Sequence, residues 1–169
     1  MTPPLLEETK RAGIDFQNLH AAYHTDTWVA VLRIIARHLA PSLPENEQYV
    51  ELGRRFMQGF VKTGVGVAAL AISRVIGVRR TLQRMGRNFK QAANYIEIEV
   101  TDAGPNEVII RAYTQPRFLP KTADRSNLIS DYRKGVIDQI LKLIGVEGTV
   151  ELTNVAFERQ DFTYRVRWK

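Results

Sequence analysis

Hydrophobic residues in the first half of the chain recur at every third or fourth position, which is the spacing of helices that bury one face. One such stripe runs over residues 28–39 and a second over residues 49–60. Proline residues follow the first stripe, where a helix is expected to end. The pattern predicts N-terminal helices over residues 1–40, followed by a helical core over residues 41–94.

The segment over residues 64–73 is apolar on every side and lies between Lys62 and Arg74. It is too short to cross a bilayer, which takes roughly 20 apolar residues. A helix without a polar face is typical of the centre of a fold. We therefore expect a buried helix that ends near Gly77, because glycine commonly follows the last helical turn. A further helix is expected over residues 78–93.

The second half of the chain alternates hydrophobic and polar residues in four segments, the spacing of strands that bury one face. The first two segments, 95–101 and 107–114, are joined by a turn that contains Gly and Pro, and they predict a hairpin. The last two cover residues 149–157 and 162–168. An amphipathic helix over residues 127–144 separates the two pairs.

These elements predict an α+β fold. We expect an N-terminal helical layer packed on an antiparallel sheet of about four strands, with one long helix inserted between the strand pairs. A length of 169 residues fits a single domain over residues 1–169. Within it, residues 95–169 supply the sheet and the inserted helix.

The charges are unevenly distributed along the chain. Residues 52–96 contain nine Lys or Arg and no Asp or Glu, so the whole net charge of +6 lies in this window. Such a concentration favours an anionic partner, which can be nucleic acid, membrane phospholipid or an acidic protein. A solvated helix face is the alternative. The candidates for anion or partner binding are Arg79, Arg80, Arg84, Arg87 and Lys90.

Motifs that would indicate a reaction or a metal site are incomplete. Residues 64–69 match Gly-x-Gly-x-x-Ala, but a helix is expected before them and no acidic residue follows about 20 positions later, as a dinucleotide site requires. We interpret these glycines as allowing close helix approach. His20 and His24 share a helical face by their spacing but lack a third zinc ligand. Glu97 and Glu99 are expected to pair with nearby arginines rather than to act in catalysis.

The chain has no cysteine, which excludes disulfides, thiolate catalysis and Cys-bound metals. Catalytic signatures are absent, so we expect neither an enzyme nor a bound cofactor or metal. The N-terminus has no basic segment followed by an apolar one, as a signal peptide would have. A cytoplasmic location is therefore expected.

Small and basic residues also form a spaced pattern, made up of Leu52-Gly53-Arg54, Gly59-Phe60, Thr63, Gly66, Ile76-Gly77, Arg80, Leu82 and Arg84-Met85, and later Pro116, Gly135, Gly145 and Trp168. In this pattern the chain resembles a large paralogous family of unknown function that is expanded in myxobacteria. The resemblance covers roughly residues 28–169. The matching positions are spaced small and basic residues, and none of them forms a catalytic motif.

That family is similar to a superfamily of vinyl-reductase-type domains, haem nitric-oxide sensors and vesicle-tethering Bet3-type subunits. The resemblance implies an α/β ligand-binding module with an apolar pocket between helices and sheet, used for sensing or assembly. The haem sensors have a proximal histidine in mid-chain and a Tyr-x-Ser-x-Arg motif. No histidine follows His38 here and that motif is absent, so no haem is expected.

We therefore expect a non-enzymatic regulatory or sensory module that binds a small apolar ligand or a protein partner. The pocket candidates are Phe56, Phe60, Leu70 and Phe118, for which ordinary core packing is the alternative. The rival prediction is an anion-binding protein that uses the basic helix face on nucleic acid or membrane phospholipid. A homodimer is a further alternative.

Overall fold

The structure is a computed structural model that describes residues 2–21, 23–92, 95–119 and 127–169, with residues 89–92 described by their backbone alone. The helices and strands are, in chain order, α1 (Pro3–Arg11), α2 (Thr25–Leu39), α3 (Glu45–Phe60), α4 (Gly64–Ala92), β1 (Ile96–Gly104), β2 (Glu107–Thr114), α5 (Leu128–Leu143), β3 (Gly148–Ala156) and β4 (Asp161–Trp168). Short 3-10 turns follow β2 at Pro116–Phe118 and β3 at Phe157–Arg159.

The four strands form one antiparallel sheet in the order β1-β2-β4-β3. Strands β2 and β4 are central, and α5 connects the β1–β2 hairpin to the other two strands. The register places Ile110 of β2 between Val100 of β1 and Tyr164 of β4. The predicted α+β fold, with one long helix between two strand pairs, is confirmed.

One face of the sheet carries the main core. Successive side chains of a strand point to opposite faces, so alternate residues of β2 and β4 are buried together. These residues are Val108, Ile110, Ala112, Phe162, Tyr164 and Val166. Val136, Ile137 and Ile140 of α5 pack in the same cluster. A smaller cluster joins α2 and α3 to the start of α5 around Tyr49 and Leu128.

Helix α4 has two halves that meet at Gly77. This residue has a φ of 78° and a ψ of 172°, a non-helical conformation that side chains with a Cβ rarely adopt. The predicted end of the apolar helix near Gly77 is confirmed. The second half packs on β1, where Gly86 lies against Ile98 and Val100.

The first half of α4 is not buried at the centre of the fold, so that prediction was wrong. Val65 is 74% exposed and Val75 is 86% exposed. Of residues 64–76, all of which the structure describes, only Gly66 is buried. The helix borders a cavity on one side and solvent on the other. No single described helix is long and apolar enough to span a bilayer, although α3 and Gly64–Asn88, bent by 98°, reach that length and composition as a pair.

Candidate functional site

A cavity of about 440 Å³, which we call the helical cavity, lies among α3, both halves of α4 and α5. Phe56 and Phe60 line it from α3, and Leu70 lines it from the first half of α4. Met85 and Ile140 line it from the second half of α4 and from α5. Because the lining is almost wholly apolar, an apolar molecule that leaves water for this cavity gains free energy.

The polar groups at the edge of the helical cavity are mostly satisfied within the chain. Ser73 Oγ donates to the carbonyl oxygen of Ala69 at 2.8 Å. Thr81 Oγ1 donates to the carbonyl oxygen of Ser73 at 3.2 Å, across the break at Gly77. Among the described residues, no titratable side chain lines this cavity. The cavity is therefore suited to holding an apolar molecule and offers no general acid or base.

A second cavity of about 220 Å³, which we call the sheet cavity, lies between the sheet and the helices. Tyr164 of β4 lines it from the sheet, while Trp28 of α2 and Arg133 of α5 line it from the helices. Phe56 and Met85 line both cavities. These two side chains therefore lie between the helical cavity and the sheet cavity.

Arg133 is the one charged side chain among the described residues that line the sheet cavity. Its Nη1 donates to the carbonyl oxygen of Ala112 at 3.2 Å. Its guanidinium carbon lies 5.5 Å from the ring centre of Phe162. Arg133 is half-buried, and the burial of its guanidinium lowers the pKa of Arg133 because the charged form loses hydration. No carboxylate in the described part of the chain pairs with it.

Three tyrosines lie near the guanidinium of Arg133, and burial raises the pKa of each of them. The Tyr164 hydroxyl donates to the carbonyl oxygen of Ser130 at 3.0 Å. The hydroxyls of Tyr95 and Tyr132 have no hydrogen-bond partner among the residues that the structure describes. Since they stay protonated at neutral pH, each can donate a hydrogen bond.

Three of the four predicted pocket residues come together, and one does not. Phe56, Phe60 and Leu70 line the helical cavity. Phe118 lies in the 3-10 turn after β2, where its ring stands edge-on to Tyr95 with 6.5 Å between the ring centres. Phe118 lines neither the helical nor the sheet cavity. Phe118 instead packs against Tyr95, which lines the sheet cavity.

Reasoning from the sequence missed Arg133 as a cavity residue. Arg133 lies three and seven positions before Val136 and Ile140, so it occupies an apolar-face position of α5. A cation at such a position is the sequence signal that could have identified a buried charge. The placement of Met85 between two cavities depends on tertiary packing and leaves no comparable signal.

The predicted basic face is not open along its whole length. Arg79 Nη2 donates to the carbonyl oxygen of Gly104 and, at 2.6 Å, to that of Pro105. Arg79 Nη1 lies 3.2 Å from Asp102 Oδ2. Arg79 therefore ties α4 to the turn between β1 and β2, and its guanidinium is occupied within the chain.

Three other arginines of this face remain exposed. Arg80, Arg84 and Arg87 form no ion pair with any described residue. Their spacing of four and seven positions places them on one side of the helix, and we call them the open arginine face. The side chain of Lys90 lies outside what the structure describes, so its place on this face stays a prediction.

The remaining sequence candidates form no site. His20 and His24 lie in the connection before α2 rather than on one helical face, and His24 Nδ1 accepts a hydrogen bond from the Asp26 N–H at 3.4 Å. No group of His, Asp and Glu in the described ranges is suited to a metal ion. Gly64 meets no other part of the described chain and Gly66 abuts the turn after α3. A Cβ atom at Gly66 would lie 2.0 Å from the carbonyl oxygen of Phe60, the last residue of α3, so the interpretation that these glycines allow close helix approach is confirmed for Gly66 and wrong for Gly64.

The fold is similar to solved structures of H-NOX domains. A mutant form of the T. tengcongensis H-NOX domain matches with a TM-score of 0.69 and 14% identity, over 98% of this chain and 86% of that chain. An oxygen-binding H-NOX domain related to soluble guanylate cyclases matches with a TM-score of 0.70 and 14% identity, over 98% and 84%. A structure on haem distortion in the H-NOX family matches with a TM-score of 0.69 and 14% identity, over 98% and 85%. At these identities the likeness establishes the fold alone.

The two cavities do not fit a haem held by histidine or cysteine. The chain has three histidines and no cysteine, and none of the three histidines lines either cavity. His38 Nε2 instead lies 3.2 Å from Glu8 Oε1, where α2 meets α1. Burial raises the pKa of Tyr132 and Tyr164 in the sheet cavity, which disfavours the tyrosinate that can ligate haem iron.

No curated protein matches the chain in sequence. One protein family does match, over residues 1–169, and its description is protein of unknown function, DUF2378. The match spans every element from α1 to β4. The chain therefore belongs to the DUF2378 family.

Proposed function

We propose that this chain is a non-enzymatic regulatory or sensory module that binds a small apolar ligand in the helical cavity. The observation that carries the proposal is the cavity of about 440 Å³ with its almost wholly apolar lining. Small-molecule sites commonly hold about 300–1,000 Å³ and have such linings. Exposed apolar side chains such as Phe56 and Val65 lie at the edge of the helical cavity, and a ligand would cover them.

The first half of α4 forms the outer wall of the helical cavity. Ala69 and Leu70 line the cavity, whereas Val67 and Val75 face solvent. The wall is one helix thick and ends at the conformational break of Gly77. The cavity is partly open to solvent, since its lining residues Phe56 and Val65 are exposed, and we expect a ligand to enter beside this wall.

The H-NOX structures support the proposal through the shared fold. One of them is an oxygen-binding domain, so this arrangement of helices and sheet can hold a small molecule. The donor set of the present cavities does not fit a histidine- or cysteine-ligated haem, and we therefore propose an organic ligand. The resemblance to vinyl-reductase-type and Bet3-type proteins agrees with an apolar pocket in a sensing or assembly module.

A neutral fluorescent probe tests the proposal. N-phenyl-1-naphthylamine brightens in apolar surroundings and should bind the wild-type chain. Ala69→Phe places a phenyl ring at the helical cavity and should weaken probe binding about tenfold or more, because the ring and the probe compete for the same apolar surface. Ala68→Phe is the matched control, since Ala68 is exposed on the same helix and does not line the cavity.

The control variant should bind the probe as the wild type does. Equal loss in both variants, or no binding by the wild type, would contradict the proposed function. Native mass spectrometry of freshly purified protein would then identify any ligand that co-purifies with the chain.

Anion binding by the open arginine face is a second candidate function. The three guanidinium groups have no described partner, and exposed apolar side chains occupy the first half of the same helix, Val65 and Val67 among them. A basic surface next to exposed apolar side chains is typical of proteins that bind anionic phospholipid. We therefore place a membrane surface ahead of nucleic acid for this face.

Vesicle sedimentation tests this second function. The chain should bind phosphatidylserine vesicles at low salt, bind them less at moderate salt, and ignore pure phosphatidylcholine vesicles. Replacing Arg80, Arg84 and Arg87 together by Glu should abolish binding. The matched control replaces exposed arginines elsewhere, Arg11, Arg117 and Arg159, and makes the same change in net charge. Binding to duplex DNA alone would favour nucleic acid, and equal loss in both triple variants would exclude a specific face.

A further inference from the structure

The sheet cavity contains a cation with no counter-ion in the described part of the chain. Arg133 lines this cavity, and its one described hydrogen bond goes to the carbonyl oxygen of Ala112 at 3.2 Å. The one carboxylate of the chain outside the described residues is that of Asp124. Arg133 is half-buried, and a guanidinium with part of its hydration removed gains from an anionic partner. The guanidinium therefore has N–H donors that no described acceptor uses.

A carboxylate matches what the guanidinium lacks. A guanidinium has five N–H donors in a planar fork, and a carboxylate accepts two of them in parallel. The ring of Phe162, 5.5 Å from the guanidinium carbon, offers attraction but no acceptor oxygen. The hydroxyls of Tyr95 and Tyr132 line the same cavity as further donors without described partners. The Ala112 carbonyl oxygen already accepts from Arg133, so the guanidinium and the two hydroxyls are left to donate to an anion.

The rest of the sheet cavity is apolar, and it adjoins the helical cavity at Phe56 and Met85. A ligand with an anionic head at Arg133 can therefore extend an apolar body past these two side chains. Methionine and phenylalanine can adopt other rotamers, and methionine adapts easily to different neighbours. One cation in an apolar setting balances one negative charge, so a monoanion fits better than a phosphate dianion.

We propose that the ligand is an apolar monocarboxylate whose carboxylate is held by Arg133 in the sheet cavity and whose hydrocarbon body lies towards the helical cavity. This inference rests on the proposed function, since it names the chemical class of the apolar ligand. It assigns Arg133 as the residue that discriminates acids from neutral molecules of the same length. Tyr95 and Tyr132 assist it as hydrogen-bond donors.

A matched pair of ligands tests the inference on the wild-type chain. Decanoate and 1-decanol have the same hydrocarbon length and differ in the charged group. Each is added below its aggregation limit to the chain that carries N-phenyl-1-naphthylamine, and displacement of the probe is measured. Decanoate should bind about tenfold or more tightly than decanol, because a charge-assisted bidentate pair is among the strong hydrogen bonds.

Variants of α5 locate the source of the preference. Arg133→Met keeps the apolar stem and should bind decanol as the wild type does while losing the preference for decanoate. Arg133→Lys keeps the charge without the fork and should retain part of the preference. Lys134→Met removes a neighbouring cation that does not line the cavity and should change nothing.

The outcomes separate this inference from the function on which it rests. If decanoate and decanol bind the wild type equally, the carboxylate assignment is wrong while the apolar site stands. If neither displaces the probe and the probe itself does not bind, the proposed function fails. A preference that persists in Arg133→Met would also overturn the assignment. Asp124→Asn should leave the preference unchanged; an increase would show that Asp124 already neutralises Arg133 and would count against the proposal.

Discussion

Gly53 of α3 and Gly135 of α5 bring their two helices into direct backbone contact. A Cβ atom at Gly53 would lie 2.0 Å from the carbonyl oxygen of Tyr132, and one at Gly135 would lie 2.0 Å from the carbonyl oxygen of Val50. Backbone atoms in a packed helix pair cannot move aside as the end of a long side chain can. This crossing fixes how far α3 stands from α5, and with it the space around Phe56 and Arg133.

Replacing either glycine should therefore be costly. We expect Gly53→Ala to lower the free energy of unfolding by about 3 kcal/mol or more, since overpacking against backbone cannot relax. The control is Gly59→Ala on the same helix, where a Cβ meets open space. That change should raise the free energy of unfolding by about 0.5–1 kcal/mol, because it restricts the unfolded chain. Urea unfolding followed by circular dichroism measures both, and equal effects would contradict the described crossing.

The conformation of Gly77 predicts a penalty of a different origin. Its φ of 78° is unfavourable for any residue with a Cβ, while the space around it is open. Gly77→Ala should lower the free energy of unfolding by about 1–3 kcal/mol from backbone strain alone. Gly64→Ala is the control in the same unfolding assay, because Gly64 also lies in open space but has no positive φ. A stabilised Gly77→Ala chain would show that α4 runs on without a break.

Arg79 and Arg80 are adjacent in sequence and differ in what they bind. Arg79 donates to the carbonyl oxygens of Gly104 and Pro105, whereas Arg80 belongs to the open arginine face. Arg79→Met should cost about 1–3 kcal/mol of stability through its lost hydrogen bonds. Arg80→Met should stay within about 0.5 kcal/mol of the wild type. Thermal and urea unfolding of the two variants measure both effects. A larger loss of stability in Arg80→Met than in Arg79→Met would contradict the role of Arg79 in joining α4 to the turn between β1 and β2.

The pair of Arg111 and Asp161 predicts a dependence of stability on pH. Arg111 Nε lies 3.0 Å from Asp161 Oδ1, and Arg111 Nη2 lies 2.7 Å from Oδ2. This pairing holds the pKa of the Asp161 carboxyl below its ordinary value of 3.8. The folded state therefore keeps the carboxylate charged at a pH where the unfolded chain protonates it. The stabilisation is complete above the unfolded pKa and is lost as pH falls through the lower folded value.

Asp161→Asn should lower the free energy of unfolding at neutral pH, since it removes the charge from a carboxyl group whose side chain is only 6% exposed and which accepts two hydrogen bonds from Arg111. The difference between wild type and variant should narrow as pH falls below 3.8, because the wild-type carboxyl then becomes neutral too. Urea unfolding at neutral pH and at acid pH measures the difference in free energy of unfolding between the wild type and the variant. A difference that stays constant with pH would show that the ion pair contributes nothing specific.

Much of the fold could be predicted because it depends on local patterns. The alternation over residues 162–168 predicts a strand with one buried face, and β4 buries Phe162, Tyr164 and Val166 together. The inserted helix was predicted because its apolar stripe is long and ends at a glycine. These features follow from neighbours along the chain, which the sequence contains in full.

The position of the first half of α4 could not be predicted in the same way. Its residues are apolar on every side, and that composition fits a central helix as well as one that borders a cavity. The difference depends on how much space α3 and α5 leave between them. That distance is set by the contact between Gly53 and Gly135, which lie in two different helices outside α4.

The candidate site was predicted only in part for a related reason. Aromatic and apolar stripes in the sequence identified Phe56, Phe60 and Leu70, which all line the helical cavity. Phe118 did not join them because the chain turns away at Pro116 after β2. Arg133 was missed although it occupies an apolar-face position of α5, because the cavity that it lines forms only where several distant elements meet.

The break at Gly77 joins the outer wall of the helical cavity to the helix that carries the open arginine face. A shift of the wall reaches those guanidinium groups through the torsions of that residue and the Thr81–Ser73 hydrogen bond that spans it. Ligand binding at the cavity wall is therefore expected to change the orientation of these exposed charges, and Gly77 is the residue at which the backbone would bend.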